Sequence, residues 1–220
     1  MTPVEAVTVC GKLSHPSKMP CPGYSLPAGR CRVGKTLSEN PLNVCYYCYA
    51  KKGRYRFSRC QKTMYTRYKS LKRKKWVEAI STLINKKCAK AELFRWHDSG
   101  DLVSEDHLRK IFEVCRKTPA ITHWLPTMDL PIVRSVTRTE AVPDNLVIRL
   151  SSPRLNKPRI IQGNFSGCFS AVVDSRDSIP VQYKKNCHIC RATETHTRCI
   201  DNNCRACWSR DVKLVVYMKH

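Results

Sequence analysis

Residues 93–125 have the sequence LFRWHDSGDLVSEDHLRKIFEVCRKTPAITHWL, which contains one complete strand–helix–strand unit. Apolar runs at 93–97 and 121–125 predict two strands, because each run is short, contains aromatic residues and is followed by polar ones. Between them, Ser104 is a typical N-cap and predicts a helix through about Arg116. Two strands joined by one helix form a right-handed crossover and lie parallel in the same sheet.

The same alternation extends in both directions along the chain. Further predicted elements are a strand at 5–10, helices at 54–70, 74–87 and 130–138, and strands at 145–150, 169–173 and 213–217. This alternation predicts an α/β fold with a parallel sheet, open or curled into a partial (β/α) barrel. The predicted single domain, 1–220, consists of a cysteine-rich loop at 11–53, a βα core at 54–180 and a C-terminal cysteine cluster segment at 181–220.

The charge of the chain is strongly positive and favours a polyanionic partner. Its 40 Lys and Arg residues exceed its 17 Asp and Glu residues, which gives a formal net charge of +23. Nucleic acid is the first candidate for such a partner. No apolar run is long enough to span a membrane and no signal-like segment follows Met1, so we expect a cytoplasmic protein without a membrane partner.

The segment 47–76 combines cations with aromatic rings. No acidic residue occurs between Glu39 and Glu78. Cations suit phosphates and rings suit unstacked bases, so single-stranded or irregular nucleic acid is favoured. The residues predicted to contact nucleic acid are Arg54, Arg56, Arg67, Lys72 and Lys75. The alternative is a solvated basic helix whose tyrosines face the core.

A first cysteine group lies in the loop near the start of the chain. Cys45 and Cys48 form a CxxC pair before a predicted helix, and Cys21 and Cys31 precede this pair. Thiolates at short spacing are the ligands that zinc and iron–sulfur clusters require. In a reducing cytosol the pattern favours metal binding over disulfides, and a redox pair or unpaired structural thiols are the alternatives.

A second cysteine group lies near the end of the chain. One CxxC pair is followed by a single cysteine and then by another CxxC pair, a pattern typical of zinc or iron–sulfur sites. These five thiols exceed the four that one site needs. The predicted ligands are Cys187, Cys199, Cys204 and Cys207, with Cys190 in reserve. Spacing alone does not distinguish zinc from a cluster.

Polar residues follow three predicted strands, at the edge where parallel sheets bind their ligands. Carboxylates accept hydrogen bonds from amines and ribose hydroxyls, and glycine lets a ligand approach the backbone. The predicted catalytic residues are His97, Asp98, Asp101 and Asp129, and the predicted cofactor-binding residues are Ser99, Gly100, Asp101, Arg149 and Ser151. The alternative is a strand-to-helix turn in which Asp98 or Asp101 caps the helix.

Residues 29–36 match the phosphate-binding pattern G-x4-G-K-T, but their context argues against nucleotide binding. A working phosphate loop needs a buried strand before it and a helix after its final Thr. Here Pro27 and Ala28 precede the match, and Pro41 follows it closely. We therefore reject this match.

Four blocks of the sequence resemble a family of phage proteins named after mycobacteriophage gene product 88. The blocks are MPCP at 19–22 with SLPA at 25–28, CYYCYA at 45–50 with GRY at 53–55, FRWHDSGD at 94–101, and CRACW at 204–208. The resemblance spans most of the chain. It implies a phage protein, which would act in the cytoplasm of the host cell, and it implies no particular activity.

A looser resemblance concerns the order of the motifs. A CxxC-Tyr before a helix, then a strand that ends in Ser-Gly-Asp, then successive βα units are similar to radical S-adenosylmethionine enzymes. In those enzymes three cysteines hold a [4Fe–4S] cluster whose free iron binds the cofactor. The resemblance implies that Cys45 and Cys48 bind a cluster, that Ser99, Gly100 and Asp101 contact S-adenosylmethionine, and that the C-terminal cysteines hold an auxiliary cluster.

The chain departs from that pattern at Pro41, which stands where the third cysteine of those enzymes usually lies. Cys31 or Cys21 would have to supply the third thiolate. If both joined Cys45 and Cys48, the site would be closed and would serve a structural or redox role.

Two hypotheses about function follow from these patterns. The first is an iron–sulfur phage protein with radical S-adenosylmethionine-like architecture that acts on or near nucleic acid. The second is a nucleic-acid-binding module without catalysis, stabilised by zinc or an iron–sulfur cluster. The second explains the charge and the cysteines, but it does not explain polar residues at three consecutive strand ends.

Overall fold

The computed structural model describes residues 1–158 and 167–219. The apolar runs of the chain lie side by side in one seven-stranded sheet, and all six pairings between its strands are parallel. The strands are β1 (Gly23–Tyr24), β2 (Leu93–Trp96), β3 (Thr122–Thr127), β4 (Leu146–Ser151), β5 (Cys168–Val173), β6 (Cys187–Ile189) and β7 (Leu214–Met218). Their order across the sheet is β1–β2–β3–β4–β5–β7–β6. The predicted α/β fold with a parallel sheet is confirmed.

Helices connect these strands, and four of those in the described residues, α1, α2, α5 and α6, begin at a side chain that caps the first turn. The helices are α1 (Pro3–Cys10), α2 (Arg32–Leu37), α3 (Ser58–Ser70), α4 (Trp76–Cys88), α5 (Glu105–Lys117), α6 (Leu130–Thr137), α7 (Val181–Lys184) and α8 (Arg191–Glu194). At the start of α5, the Ser104 hydroxyl accepts a hydrogen bond from the amide of His107 at 3.2 Å. This is the cap that the sequence predicts.

One face of the sheet is covered by helices. Because β1 to β5 follow one another across the sheet, right-handed crossovers place the connecting helices on the same side. Helix α4 packs against α1 and α5, and α5 packs against α6. Phe94 and Trp96 of β2 face this layer and are fully buried beside Trp76 and Phe112. Burial of each such ring contributes on the order of 1.5–3 kcal/mol relative to exposure.

The other face of the sheet is covered by cysteine-rich segments. Alternate side chains of a strand point to opposite faces, so Trp124 lies on this side while Leu125 joins the helical side. Cys21, Cys207 and Trp208 pack with Trp124 in a second apolar cluster. The Trp208 indole donates a hydrogen bond to the Phe94 carbonyl at 2.9 Å, which anchors the C-terminal segment to the sheet.

The N-terminal segment differs from its prediction. Residues 5–10 were expected to form a strand, but they belong to α1. Thr2 and Glu5 form a reciprocal capping box, and Pro3 occupies the first helical turn. The two buried residues, Ala6 and Cys10, are one helical turn apart, so the period is that of a helix.

Strands β1 and β6 were not predicted from the sequence. β1 has only two residues, and it exists through pairing with β2, where Gly23 lies opposite Arg95. A Cβ at Gly23 would lie 2.7 Å from the Arg95 carbonyl oxygen, so the close approach requires glycine. β6 is equally short and only partly buried, and it gains its partner in β7.

The phosphate-loop match at 29–36 is not a phosphate loop in the structure. α2 begins at Arg32, so Gly34 and Lys35 lie inside the helix instead of in a loop before it. Their amides therefore do not form the concave anion site that this motif requires.

Candidate metal centres

Three cysteines of the N-terminal group lie together at the carboxyl ends of the strands. We call Cys31, Cys45 and Cys48 the three-cysteine site. Cys31 is the N-cap of α2, and its sulfur accepts a hydrogen bond from the Gly34 amide at 3.3 Å. The turn that carries Cys45 is fixed next to the end of β4, because the Val44 amide donates to the Pro153 carbonyl at 2.8 Å.

Gly34 lies next to the sulfur atoms of Cys31 and Cys45. A Cβ at Gly34 would lie 2.8 Å from the Cys31 sulfur and 4.0 Å from the Cys45 sulfur, so both sulfurs face the same small space. Burial raises the pKa of Cys45 to about 12, and the nearby thiols of Cys31 and Cys48 add to this rise. A bound cation would reverse this effect, because metals bind the thiolate form.

Cys21 does not join the three-cysteine site. It is buried with Trp124 and Trp208 on the cysteine-rich face, beside the C-terminal cysteines. The Cys199 amide donates to the Lys18 carbonyl at 2.9 Å, which ties this part of the N-terminal loop to the C-terminal segment. The predicted grouping of Cys21 with the CxxC pair is therefore wrong, and three thiols remain at the strand ends.

Asp101 lies beside the three-cysteine site and joins two strand ends. Its carboxylate accepts hydrogen bonds from the Leu102 amide at 2.7 Å, the Thr127 hydroxyl at 2.6 Å and the Met128 amide at 2.9 Å. Burial raises the pKa of Asp101 to about 6. The carboxylate has further lone pairs, so it can still accept a proton donor from a ligand.

Asp98 ties the N-terminal loop to the end of β2. Its carboxylate accepts hydrogen bonds from the Ser25 hydroxyl and from the Tyr55 hydroxyl, the latter at 2.9 Å. The Tyr49 hydroxyl donates to the Asp98 carbonyl oxygen. The predicted catalytic role of Asp98 therefore has a structural competitor, because its carboxylate holds the loop that carries the cysteines.

The residues on either side of Asp98 are also engaged by the fold. The Ser99 hydroxyl donates to the Leu26 carbonyl at 2.8 Å. Gly100 has a φ of +80°, and a Cβ there would lie 2.7 Å from the Leu26 Cβ. His97 has a φ of +51° and is 4% exposed, and burial lowers its pKa well below the usual value. These three residues shape the turn, and their predicted ligand contacts stay predictions.

Asp129 is buried and serves as the N-cap of α6. Its carboxylate accepts a hydrogen bond from the Ile132 amide at 3.2 Å. The same carboxylate forms an ion pair with the Arg32 guanidinium at 2.6 Å. The Arg32 side chain is 65% exposed, so one end of this pair reaches solvent. The predicted catalytic role of Asp129 stays a prediction, because its carboxylate is already engaged in this ion pair.

A small cavity adjoins the three-cysteine site across the ends of β3 to β5. The Met128 sulfur lies 3.4 Å from the Cys45 sulfur and also lines this cavity. The cavity has a volume of about 80 Å³, and its lining residues are Met128, Leu130, Leu150, Ser151, Ser152, Pro153 and Phe169. Ser151 lines this cavity with its hydroxyl 3.0 Å from that of Ser170, and its predicted contact with a cofactor stays a prediction.

The C-terminal cysteines surround a larger cavity on the cysteine-rich face. Its volume is about 480 Å³. The sulfur-bearing and imidazole residues that line it are Cys190, Cys199, Cys204, Cys207 and His188. We call this space the C-terminal cavity. Burial raises the pKa of Cys199 to about 11, and the thiols of Cys204 and Cys190 contribute to the rise.

Cys187, which was predicted as a ligand, does not line the C-terminal cavity. Cys190, which was held in reserve, lines it instead. Neighbouring residues of a strand point to opposite faces, so His188 faces the cavity while Cys187 packs against the helical core. Cys190 follows β6 as the N-cap of α8. The preference for Cys187 over Cys190 was wrong because β6 was not recognised.

Arg149 supports the C-terminal cavity and does not reach the carboxyl edge. Its side chain is fully buried, and its two terminal nitrogens donate to four backbone carbonyls at 2.9–3.1 Å. The acceptors belong to Phe169, Ala206, Ser209 and Val212. The predicted contact of Arg149 with a cofactor at the strand ends does not fit this position.

The candidate nucleic-acid residues divide into exposed and buried ones. Arg54, Arg56, Lys72 and Lys75 are exposed, as the prediction requires. Arg67 is 4% exposed, and it donates to the Lys12 carbonyl at 2.7 Å and to the Ser25 carbonyl at 3.3 Å. The prediction for Arg67 is therefore wrong, because its guanidinium holds the N-terminal loop.

Aromatic side chains lie exposed beside the three-cysteine site. Tyr46 is 51% exposed and Phe57 is 64% exposed, and Tyr46 packs edge-on against Tyr47. The solvated-helix alternative concerned the tyrosines of the basic helix, and Tyr68 of α3 does pack against the apolar core. Tyr46 and Phe57 lie before this helix and are exposed. They are free to contact a partner.

All fourteen cysteines are free thiols. Within 1–158 and 167–219, no set of three or more His, Cys, Asp or Glu side chains is arranged to hold a metal ion. The sulfur atoms instead border the two spaces described above. Among the helices of these same residues, none is both long and apolar enough to cross a membrane.

These features define a class of α/β proteins in which a parallel sheet carries helices on one face and cysteine-rich segments on the other. The chain belongs to the phage gene product 88 family, because the family model described as gene product 88 matches residues 4–210. The match includes the three-cysteine site and the cysteines of the C-terminal cavity. Comparisons with curated proteins and with solved structures gave no match.

Proposed function

We propose that this protein is an iron–sulfur enzyme of radical S-adenosylmethionine type that acts on or near nucleic acid in the cytoplasm of the phage host. The observation that carries the proposal is the three-cysteine site. Three thiols lie near one another at the carboxyl edge of a parallel sheet, while Cys21, the fourth candidate, lies elsewhere. A [4Fe–4S] cluster held by three cysteines keeps one iron free for a ligand.

The surroundings of the three-cysteine site suit such a cluster. The Gly34 amide donates to the Cys31 sulfur, and hydrogen bonds of this kind stabilise the charge on cluster thiolates. The absence of a side chain at Gly34 leaves room between Cys31 and Cys45. Three thiolates are a soft donor set, which selects iron–sulfur clusters or zinc over harder ions.

The residues around the site would bind and orient S-adenosylmethionine. The Asp101 carboxylate can accept the amino group of the cofactor, because its three protein donors leave lone pairs free. The cavity lined by Met128 and Ser151 lies beside Cys45, and its volume of about 80 Å³ would take only a small part of the cofactor. When bound, the cluster would supply the electron for reductive cleavage of the cofactor, while Asp101 would hold the amino group of the cofactor and so orient the reacting bond.

We further propose that the C-terminal cavity holds a second cluster, ligated by Cys190, Cys199, Cys204 and Cys207. A mononuclear zinc site brings four sulfurs to about 2.3 Å from one ion, and it needs little space. The volume of about 480 Å³ favours the larger inorganic cluster. Four cysteine ligands would close this centre, so its role is electron storage or structure and not cofactor binding.

Electron paramagnetic resonance on anaerobically purified, dithionite-reduced protein tests the catalytic centre. Addition of S-adenosylmethionine should change the signal of one cluster, and 5′-deoxyadenosine should accumulate. Cys45→Ser should abolish both effects, because it removes one of only three thiolate ligands. Cys60→Ser, which alters a thiol outside both groups, should preserve both effects.

Two outcomes would contradict the proposal. If cluster-loaded protein gives an unchanged signal and no 5′-deoxyadenosine, the open iron does not exist and the proposed enzyme activity is wrong. If Cys60→Ser loses the response as fully as Cys45→Ser, the thiols have been grouped incorrectly.

A second candidate function is a nucleic-acid-binding module without catalysis. The exposed rings of Tyr46 and Phe57 and the exposed cations Arg54 and Arg56 favour it, because stacking and phosphate contacts need no catalytic centre. Colour distinguishes the metal, because anaerobic protein with a cluster is brown with broad absorbance and protein that contains zinc is colourless. Formation of 5′-deoxyadenosine by cluster-loaded protein then separates the enzyme from a module that holds a cluster without catalysis.

A further inference from the structure

We infer that Arg149 is the buried counter-cation of a negatively charged metal–thiolate centre in the C-terminal cavity, and that it raises the reduction potential of this centre. The inference deepens the proposed function and rests on its second cluster. It assigns to Arg149 a positioning and electrostatic role at a site on the face of the sheet, away from the strand ends.

The first argument is the burial of an unpaired charge. The Arg149 side chain has no exposure, and within the described residues no carboxylate forms an ion pair with it. A buried guanidinium without a counter-charge is costly, and proteins normally pair it with an anion. Its four carbonyl partners satisfy hydrogen bonds but carry no net charge.

The second argument is the location of Arg149 behind the thiols. Two of its acceptors, the Ala206 and Ser209 carbonyls, flank Cys207 in sequence and line the C-terminal cavity. The Cys207 sulfur lies 3.2 Å from the Tyr217 hydroxyl, which can donate to a thiolate.

The third argument is charge balance. Four thiolates around an iron–sulfur cluster give a centre with net negative charge, and reduction makes that charge larger. A nearby buried cation stabilises the reduced state more than the oxidised state, because their Coulomb interaction is strong where water is excluded. An anionic occupant of the cavity would therefore explain why the charge of Arg149 is buried. A neutral occupant would leave that charge without a counter-charge.

Redox titration of the isolated C-terminal centre tests the inference. The Cys45→Ser background removes the three-cysteine cluster, so one centre remains, and the protein is reconstituted anaerobically with iron and sulfide. Arg149→Gln in this background should lower the midpoint potential, because the charge is lost while two N–H donors remain. Arg149→Lys should keep the potential close to that of the background.

Arg67→Met provides a matched control. Arg67 is also buried and also donates to backbone carbonyls, but it lies in the N-terminal loop. Its replacement should reduce stability without moving the potential. Thermal unfolding gives a second readout, since cluster loading should raise the melting temperature less in Arg149→Gln than in the background.

Several outcomes would overturn the inference. An unchanged potential in cluster-loaded Arg149→Gln would do so, as would an equal shift in Arg67→Met. Failure of Arg149→Gln and Arg149→Lys alike to retain the cluster would give Arg149 a structural role only. Absence of any cluster in the Cys45→Ser background would remove the second centre, while S-adenosylmethionine cleavage by the unmodified protein would still report separately on the proposed enzyme function.

Discussion

Gly34 controls the space between two sulfur atoms of the three-cysteine site. Its amide donates to the Cys31 sulfur at 3.3 Å, and no side chain separates Cys31 from Cys45. The sequence analysis considered Gly34 only as part of a rejected phosphate loop. Its contact with Cys31 depends on the start of α2 at Arg32, which local sequence did not reveal.

Gly34→Ala should reduce the iron content of the three-cysteine site by more than half. The new Cβ would lie 2.8 Å from the Cys31 sulfur and would push it away. The same substitution inside a helix otherwise stabilises by about 0.5–1 kcal/mol, so a general loss of folding is not expected. Iron analysis in the Cys204→Ser background measures the effect.

Gly29→Ala is the control for this prediction. A Cβ at Gly29 would meet only the Tyr65 hydroxyl, at an ordinary 3.7 Å. This variant should retain its iron. Equal iron content in Gly34→Ala and Gly29→Ala would show that no cluster occupies the space beside Cys31.

Buried histidines make the stability of the fold depend on pH. Burial lowers the pKa of His107 to about 3 and that of His123 to about 3, so both are neutral in the folded protein. In the unfolded chain they titrate near 6.5 and bind protons below that pH. Their contribution is therefore complete above pH 6.5 and is lost as the pH falls towards 3. Asp101, with its pKa raised to about 6, partly offsets this loss between pH 6 and 4.

The free energy of unfolding should fall by roughly 1–3 kcal/mol per pH unit between pH 6 and 4, since each net proton contributes about 1.4 kcal/mol per unit. His107→Gln removes one of the protons taken up on unfolding, so it should make this slope shallower by about 1.4 kcal/mol per pH unit. Denaturant unfolding at a series of pH values measures it. His15→Gln, at an exposed position, should leave the slope as it is, and a slope unaffected by His107→Gln would show that His107 is not neutral in the fold.

At the scale of elements, the long βα units could be predicted and the short pieces could not. Helix α5 has a capping Ser104 and a regular apolar stripe, and these local signals specify it completely. β1 and β6 have two and three residues, and each depends on a partner strand far away in the chain. The assignments of Cys21 and Cys187 failed for this reason, because Cys21 lies just before β1 and Cys187 is the first residue of β6.

The exposed cations around α3 are predicted to bind nucleic acid. Replacing Arg54, Arg56, Lys72 and Lys75 together by Ala should weaken binding to single-stranded nucleic acid and flatten its salt dependence. Each lost phosphate contact reduces the salt slope by about 0.7 for a single strand. Fluorescence anisotropy with a labelled oligonucleotide at several salt concentrations measures the slope.

Arg67→Ala serves as the comparison, because Arg67 is basic but buried. It should lower stability and leave the salt slope of folded protein unchanged. A flatter slope in Arg67→Ala, or an unchanged slope in the fourfold variant, would place the nucleic-acid contact somewhere else on the molecule.

At the scale of the whole molecule, the two faces of the sheet are covered by different parts of the chain. The helical face of the sheet contains the main apolar core, in which Cys10, Cys88 and Cys115 are buried, and its other face and carboxyl edge carry the cysteines of the two candidate centres. The sequence predicted two cysteine groups and the edge at which the polar residues gather. It could not predict that Cys21 leaves the first group or that Asp98, Asp101 and Asp129 are bonded to Ser25, Thr127 and Arg32, since those partners come from distant positions.

Iron and acid-labile sulfide per chain, measured on anaerobically reconstituted protein and its cysteine variants, test the two-centre account most directly. Two [4Fe–4S] clusters would give about eight of each per chain. Cys45→Ser and Cys190→Ser should each lose about half, whereas Cys187→Ser and Cys21→Ser should lose none. Protein that binds zinc in place of iron, or that loses as much iron in Cys187→Ser as in Cys190→Ser, would contradict the account.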